Sequence, residues 1–402
     1  MSDDAYPNLP DQKELEKELA DYLSRKYGER VKIVSAGLFP QVDKAGQEAA
    51  KAAPEEKKPF DFNVKPEELV AYLDDFVIQQ DDAKAVLATK ICTHFNRIRY
   101  LESHPELKEK NVGHIKSNVL LVGPTGVGKT YLIKLIADRL GVPFVKGDAT
   151  KFSETGYVGA DVEDLVRDLV RQADGDIERA RYGIIYVDEV DKIASSQNRF
   201  GADVSRTGVQ RALLKPMEET DVDLKVPHDP ISQIEALEHY RATGKREKRV
   251  VNTKNILFVM SGAFEGLDKI VKKRTQQQGI GFERSISTKK EASFFFKKIK
   301  AEDLIEFGFE SEFVGRLPIV AVLHELSVDD LYQILLIYNS SLVVGKKQDF
   351  QAYGIRILFE DSALKEIAGR AAGEQTGARG LVSVMERTLL RFEKKLPSTD
   401  LS

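Results

Sequence analysis

Gly123, Pro124, Thr125, Gly126, Val127, Gly128, Lys129 and Thr130 follow one another in the spacing G-x-x-x-x-G-K-[ST]. Glycines at these positions let backbone N–H groups turn inward around phosphates, and a helix N-terminus adds positive potential. Lys129 is placed to reach the β- and γ-phosphates of a nucleoside triphosphate, and Thr130 to hold Mg²⁺. The motif needs a strand before it and a helix after it. Asn118–Val122 is an apolar, strand-like run, and Tyr131–Leu140 carries helical periodicity.

A second constellation lies downstream. Ile184-Ile185-Tyr186-Val187 is apolar and ends in Asp188-Glu189. After a phosphate loop, the first acid suits Mg²⁺, directly or through water, and the second suits orienting and deprotonating an attacking water. Asp191 extends the acidic patch and reads as structural. Ser261 closes another apolar run, where a γ-phosphate sensor and a plain strand end are equally good readings. Arg316 and Arg379 each lie beside glycines. An arginine is most often a solvated charge. Next to a phosphate loop and its acids, a guanidinium can also neutralise charge on a transferring phosphoryl group.

The elements that must position these residues read as an α/β unit. Strand-like runs at Asn118–Val122, Pro143–Lys146, Ile184–Val187, Asn255–Met260 and Pro318–Leu323 alternate with helical stretches, the pattern of a mostly parallel sheet. Helical patterning precedes them over Lys65–Tyr100 and dominates again from Ser327, with one strand candidate at Ile355–Phe359. Asp11–Tyr27 has the spacing of an amphipathic helix, Val31–Val34 that of a short strand, and Gln41–Pro59 the composition of a linker. The expected organisation is an N-terminal helical segment over 1–40, a linker over 41–64, a large ATPase domain over 65–324 and a small, mainly helical domain over 325–402. Two polar stretches, Thr220–Asn252 and Lys272–Lys300, interrupt the large domain. Stretches of that length are functional or disordered.

Composition narrows the class. Net charge is −4, without the basic excess that nucleic acid or an anionic membrane calls for. Cys92 is the single cysteine, so neither an internal disulfide nor a cysteine-based zinc site can form within this sequence. There is no signal-like start and no run long enough for a bilayer, so a cytoplasmic protein is expected.

From about Lys65 to Pro397 the chain resembles the ClpX protein unfoldases of the AAA+ superfamily, with the HslU unfoldases as nearest relatives. The resemblance is carried by Leu73–Lys84, the phosphate loop, Gly156-Tyr157-Val158-Gly159, Asp188–Ile193, Gly208–Leu214, Gly262–Phe264, Gly315–Pro318 and Gly377–Leu381, in that order. It implies a five-stranded parallel sheet followed by a helical small domain, ATP and Mg²⁺ as cofactors, and a homo-hexameric ring. It implies further that Val77 and Ile78 pack on the adenine, that Arg316 acts on a neighbouring subunit's ATP, and that Arg379 couples the small domain to nucleotide state.

The residues at Gly156–Gly159 fit two readings, a tight turn and a hinged loop whose Tyr157 grips extended polypeptide. The resemblance implies the second, a pore loop with Tyr157 and Val158 facing substrate, with a less defined second loop near Arg199–Arg206. Ile280, Gly281 and Phe282 form an apolar tripeptide in a polar stretch, which needs either a partner or the subunit itself to cover it. In ClpX this tripeptide docks on the ClpP peptidase. The sequence departs from the family in two places. It lacks the four-cysteine N-terminal zinc domain, and Thr220–Asn252, with the basic cluster Lys245–Arg249, replaces the family's pore-entrance loop. The expected activity is ATP-driven unfolding and threading of polypeptide, with delivery to a ClpP-type peptidase. The rivals are a peptidase-independent remodeller and a nucleic-acid motor.

Overall fold

A computed structural model of the chain describes residues 62–107, 116–153, 160–195, 204–224, 249–278, 295–337 and 341–399. Among the described residues the strands are β1 (Val119–Val122), β2 (Phe144–Asp148), β3 (Ile184–Asp188), β4 (Asp221–Asp223), β5 (Val250–Asn252), β6 (Leu257–Gly262) and β7 (Ile319–Val322). Five of them form one parallel sheet in the order β2-β3-β6-β1-β7. The chain folds as the α/β unit with a parallel sheet that its alternating pattern predicts.

The inner strands β1, β3 and β6 are apolar on both sides because both faces are covered. Leu120, Val122, Ile185, Val187, Phe258 and Met260 join one core. Val119, Leu121, Ile184, Tyr186, Leu257 and Val259 join the other. The second core is roofed by α1 (Pro66–Asp74) and α2 (Asp81–Ser103). Phe62 is already packed there, 5.5 Å from the Phe95 ring. Between α1 and α2, Gln79 and Gln80 both take left-handed backbone. The buried Gln80 amide clasps His324, accepting from its N–H at 2.8 Å and donating to its carbonyl at 2.9 Å.

Helix α3 (Lys129–Leu140) grows from the phosphate loop. Leu132, Ile133, Leu135, Ile136 and Ala137 form its buried stripe, and Gly141, left-handed, closes it by donating to Ala137 and Asp138. Helix α4 (Asp164–Gln172) lies beyond β2, and α5 (Val204–Met217) beyond β3. Pro216 lies in the last turn of α5, and the last carbonyls of that helix are met by side chains just before β1. Lys116 donates to Pro216, and Asn118 to Met217 at 3.1 Å. After α6 (Leu267–Gln278), the short helices α7 (Ala301–Phe307) and α8 (Ser311–Gly315) lead into β7.

Four helices follow: α9 (Val328–Leu336), α10 (Ser341–Gln351), α11 (Asp361–Gly373) and α12 (Ala378–Lys395). They enclose a third core that includes Leu331, Leu335, Ile367, Ala368, Leu381, Val384 and Met385. Ser327 and Asp330 form a reciprocal cap at the start of α9.

The strand candidate at Ile355–Phe359 is not a strand. Its alternation is real: Ile355, Ile357 and Phe359 pack on the third core, while Leu358 is 74% exposed. Among the described residues no strand lies beside it, so period-two burial arises without a ladder. The two polar stretches are also more ordered at their edges than expected. Asp221–Asp223 and Val250–Asn252 pair antiparallel, closing the neck of the first, and the second opens as the end of α6. The expected N-terminal helix and strand, most of the linker, Tyr157 and Val158, and Ile280, Gly281 and Phe282 lie outside the described residues. Among the described residues no helix is long and apolar enough to cross a membrane.

Candidate active site

The carboxyl ends of β1, β3 and β6 point to one place, where ligands bind in open parallel sheets. There a cleft of about 410 Å³, the size of a small-molecule site, is lined by Thr125, Gly126, Gly128, Lys129, Thr130, Asp188, Glu189 and Arg379, among others. Residues from three distant parts of the sequence thus share one cavity. Of the other loop residues, Val127 is buried in the core and anchors the loop from below, and Gly123 lies under it. Pro124 accepts from Lys129 at 2.8 Å.

Lys129 opens α3. Its ammonium donates to the carbonyls of Gly123 at 2.5 Å and Pro124, inside the loop it belongs to. Burial pushes the group down to about 8; the Arg379 charge acts in the same direction, and Asp188 and Asp191 oppose it. A desolvated cation at a helix N-terminus that no side chain caps is suited to an anion of high charge. Thr130 donates to the Tyr186 hydroxyl at 3.1 Å. Burial pushes that phenol up to about 12, so it stays protonated. The Thr130 hydroxyl and the Asp188 carboxylate are hard oxygen ligands, the kind Mg²⁺ selects.

Asp188 ends β3, with Oδ1 accepting from the Glu189 N–H at 3.1 Å and Oδ2 paired with Lys146 at 2.9 Å. Glu189 has φ 58°, a left-handed backbone that costs a non-glycine residue about 1–3 kcal/mol. The kink stops the strand and turns the exposed Glu189 carboxylate into the cleft, while Val190 and Ile193, both buried, pin the single 3-10 turn that follows. Asp191, which the sequence suggested as structural, also lines the cleft. Its buried carboxylate accepts from the Ala263 N–H at 3.3 Å and fixes that turn to the end of β6. Ser261 is buried beside the Tyr186 hydroxyl.

Arg379 reaches the cleft from the helical region because the N-terminus of α12 sits on the phosphate loop. The Ala378 N–H donates to Gly126 at 2.9 Å. A Cβ on Gly126 would lie 2.0 Å from the Thr376 carbonyl oxygen, and one on Gly377 would lie 2.6 Å from that of Gly126. Both residues also have positive φ, so glycine is required on each side of the contact.

Arg316 is elsewhere. It is the last residue of the turn at α8, half-exposed, ion-paired with Glu218, and its carbonyl accepts from Asn118 at 3.2 Å. It does not line the cleft. Val77 is in the core beneath α2, its carbonyl accepting from Lys84 at 3.2 Å, and Ile78 is half-buried; neither lines the cleft. Sequence reasoning missed Tyr186 and Lys146. The signal for Lys146 was a lone charge within an otherwise apolar strand run, and that for Tyr186 a hydroxyl two residues before the first acid.

A profile of the AAA domain (Cdc48 subfamily) matches residues 114–320. The chain is 39% identical over 337 residues to the ATP-dependent Clp protease ATP-binding subunit ClpX of Treponema denticola, covering 83% of this chain and 77% of that one. It is 40% identical over 342 residues to the subunit of the same name from Borrelia duttonii, covering 83% and 75%. The profile's span holds the phosphate loop and the strand-end acids, which the fold brings to one cleft with Arg379, and at these identities and coverages the chain belongs to the ClpX family of AAA ATPases.

Proposed function

We propose that this ATPase unfolds proteins as a homo-hexameric ring in the cytoplasm, with a large domain over 65–324 hydrolysing ATP and a small domain over 325–402 responding to it. The observation that carries the reading is the sharing of one cleft by Lys129, Thr130, Asp188, Glu189 and Arg379, while Arg316 is offered on another surface. In this reading Lys129 and the loop amides bind the β- and γ-phosphates, and Val77 and Ile78 bound the adenine side. Thr130 and Asp188 hold Mg²⁺, which when bound neutralises charge on the phosphates. Glu189 takes a proton from the attacking water. Arg379 reports the γ-phosphate to α12 through the Gly126–Gly377 contact, and Arg316 completes the site of the neighbouring subunit.

The pull on substrate is assigned to Tyr157 and Val158, and delivery to a ClpP-type peptidase to Ile280, Gly281 and Phe282. The names of the relatives, which call them ATP-binding subunits of a Clp protease, support that partnership. The test is unfolding of a tagged, stable fluorescent protein with and without the peptidase. Tyr157→Ala is expected to keep ATP hydrolysis and lose unfolding. Phe282→Ala is expected to keep unfolding and lose peptidase binding and degradation. Undiminished unfolding by the first variant would remove the pore assignment. Equal peptidase binding by the second would favour remodelling without degradation.

A further inference from the structure

Lys146 is a charge that packing does not require. It stands in the edge strand β2 with its side chain 44% exposed, between the buried Val145 and the half-buried Gly147. Register decides where it points. β2 pairs in parallel with β3 so that Lys146 lies opposite Tyr186 and Asp148 opposite Asp188. Side chains two residues apart share a face of a sheet. The Lys146 stem therefore runs beside Tyr186, with its ammonium 5.8 Å from the ring centroid, and ends 2.9 Å from Asp188 Oδ2. Tyr186 in turn holds Thr130. Lys146 itself does not line the cleft, whereas Asp188, Tyr186 and Thr130 do.

We propose that Lys146 is a positioning residue for Asp188, orienting its carboxylate from outside the cleft and weakening its hold on Mg²⁺. The inference rests on the reading of Asp188 as a Mg²⁺ ligand. With Oδ1 on the Glu189 N–H and Oδ2 on Lys146, both oxygens are directed, so the carboxylate does not swing. The same ammonium places a positive charge beside the oxygen that a cation would share. A single charge about 5 Å from a dication in a water-like dielectric changes cation affinity by about tenfold or somewhat more, and salt screens most of that. The device sets the Mg²⁺ concentration at which the site fills, and lets metal leave with spent nucleotide.

The test uses the full chain and a ribose-labelled fluorescent ADP, titrated with Mg²⁺ to find the midpoint of the metal-dependent gain in binding. Lys146→Met is expected to lower that midpoint about tenfold at low ionic strength, with the gap closing to about twofold or less in high salt. Lys146→Arg is expected to restore the wild-type midpoint. Asp188→Asn should raise the midpoint, and adding Lys146→Met to it should then lower the midpoint by less than it does in the wild type, because only the direct repulsion of the cation is left to remove. An unmoved midpoint in Lys146→Met, with Asp188→Asn still shifted, overturns the proposal and leaves the metal reading standing. An unmoved midpoint in Asp188→Asn overturns the metal reading and the proposal with it. Weaker nucleotide binding by Lys146→Met in chelator would make Lys146 a phosphate contact and also overturn the proposal.

Discussion

On one side of the cleft, Asp188 and Glu189 stand at the end of β3, a strand paired on both edges and buried along its length. On the other side, Arg379 is carried by α12, which meets the phosphate loop through the close approach of Gly377 and Gly126 and one hydrogen bond from Ala378. The first wall is held by a ladder and two cores, the second by a backbone contact small enough to open. Parallel pairing with apolar burial fixes atoms that must meet the reacting phosphate. In the proposed reading, the glycine-to-glycine contact carries a change between regions with separate cores. Chemistry and coupling would then be built from different materials in this molecule, and substitutions on the two walls should fail differently.

Arg316 belongs to neither wall and should give the largest effect. Arg316→Ala is expected to lower ATP hydrolysis by about 10³ or more, with nucleotide affinity retained. Mixing it with Glu189→Gln should recover activity, because each subunit supplies what the other lacks. No recovery at any ratio would return Arg316 to its structural pair with Glu218.

On the sheet wall, Glu189→Gln should reduce turnover by about 10²–10⁴ while ATP still binds. Single-turnover hydrolysis measures it, and near-normal turnover would strip Glu189 of its role. On the helical wall, Gly377→Ala meets both a positive φ and the Gly126 carbonyl. The penalty exceeds about 1 kcal/mol, which is expected as roughly tenfold weaker nucleotide binding with the sheet still folded. If Gly377→Ala instead lowered turnover without touching affinity, the contrast between the walls would collapse.

The last effect is on stability rather than turnover, and is expected at the root of the sheet. Burial pushes Lys116 down from 10.5 to about 7, against the pull of Glu219 and Glu218. Between those pH values the unfolded chain carries a proton that the folded chain lacks, so this group's contribution to stability rises with pH through the window and its cost is full below it. Urea unfolding at pH 7 and 9 should show that rise in wild type and a flatter line in Lys116→Met. An equal slope in both would place the proton elsewhere.

Much of this was legible without coordinates. The five sheet strands follow from apolar runs within a residue or two, because a parallel strand buried on both faces leaves a continuous signature. Ile355–Phe359 misled because alternation reports burial on one side, and a ladder also needs a neighbour. Lys146 and Tyr186 were not legible as site residues, since neither belongs to a contiguous motif.

The phosphate loop and the pair of acids at a strand end are written in contiguous residues. Their geometry follows from adjacent residues, with glycines setting φ at Gly126 and Gly128 and a strand stopping at Glu189. Folding is what brings Arg379 and not Arg316 to the cleft, clasps Gln80 to His324, and turns Lys146 toward Asp188. Those placements depend on strand register and on backbone contacts between segments far apart in the chain. No local pattern of residues encodes such a register, because it is set by hydrogen bonds that form only when the whole sheet is assembled.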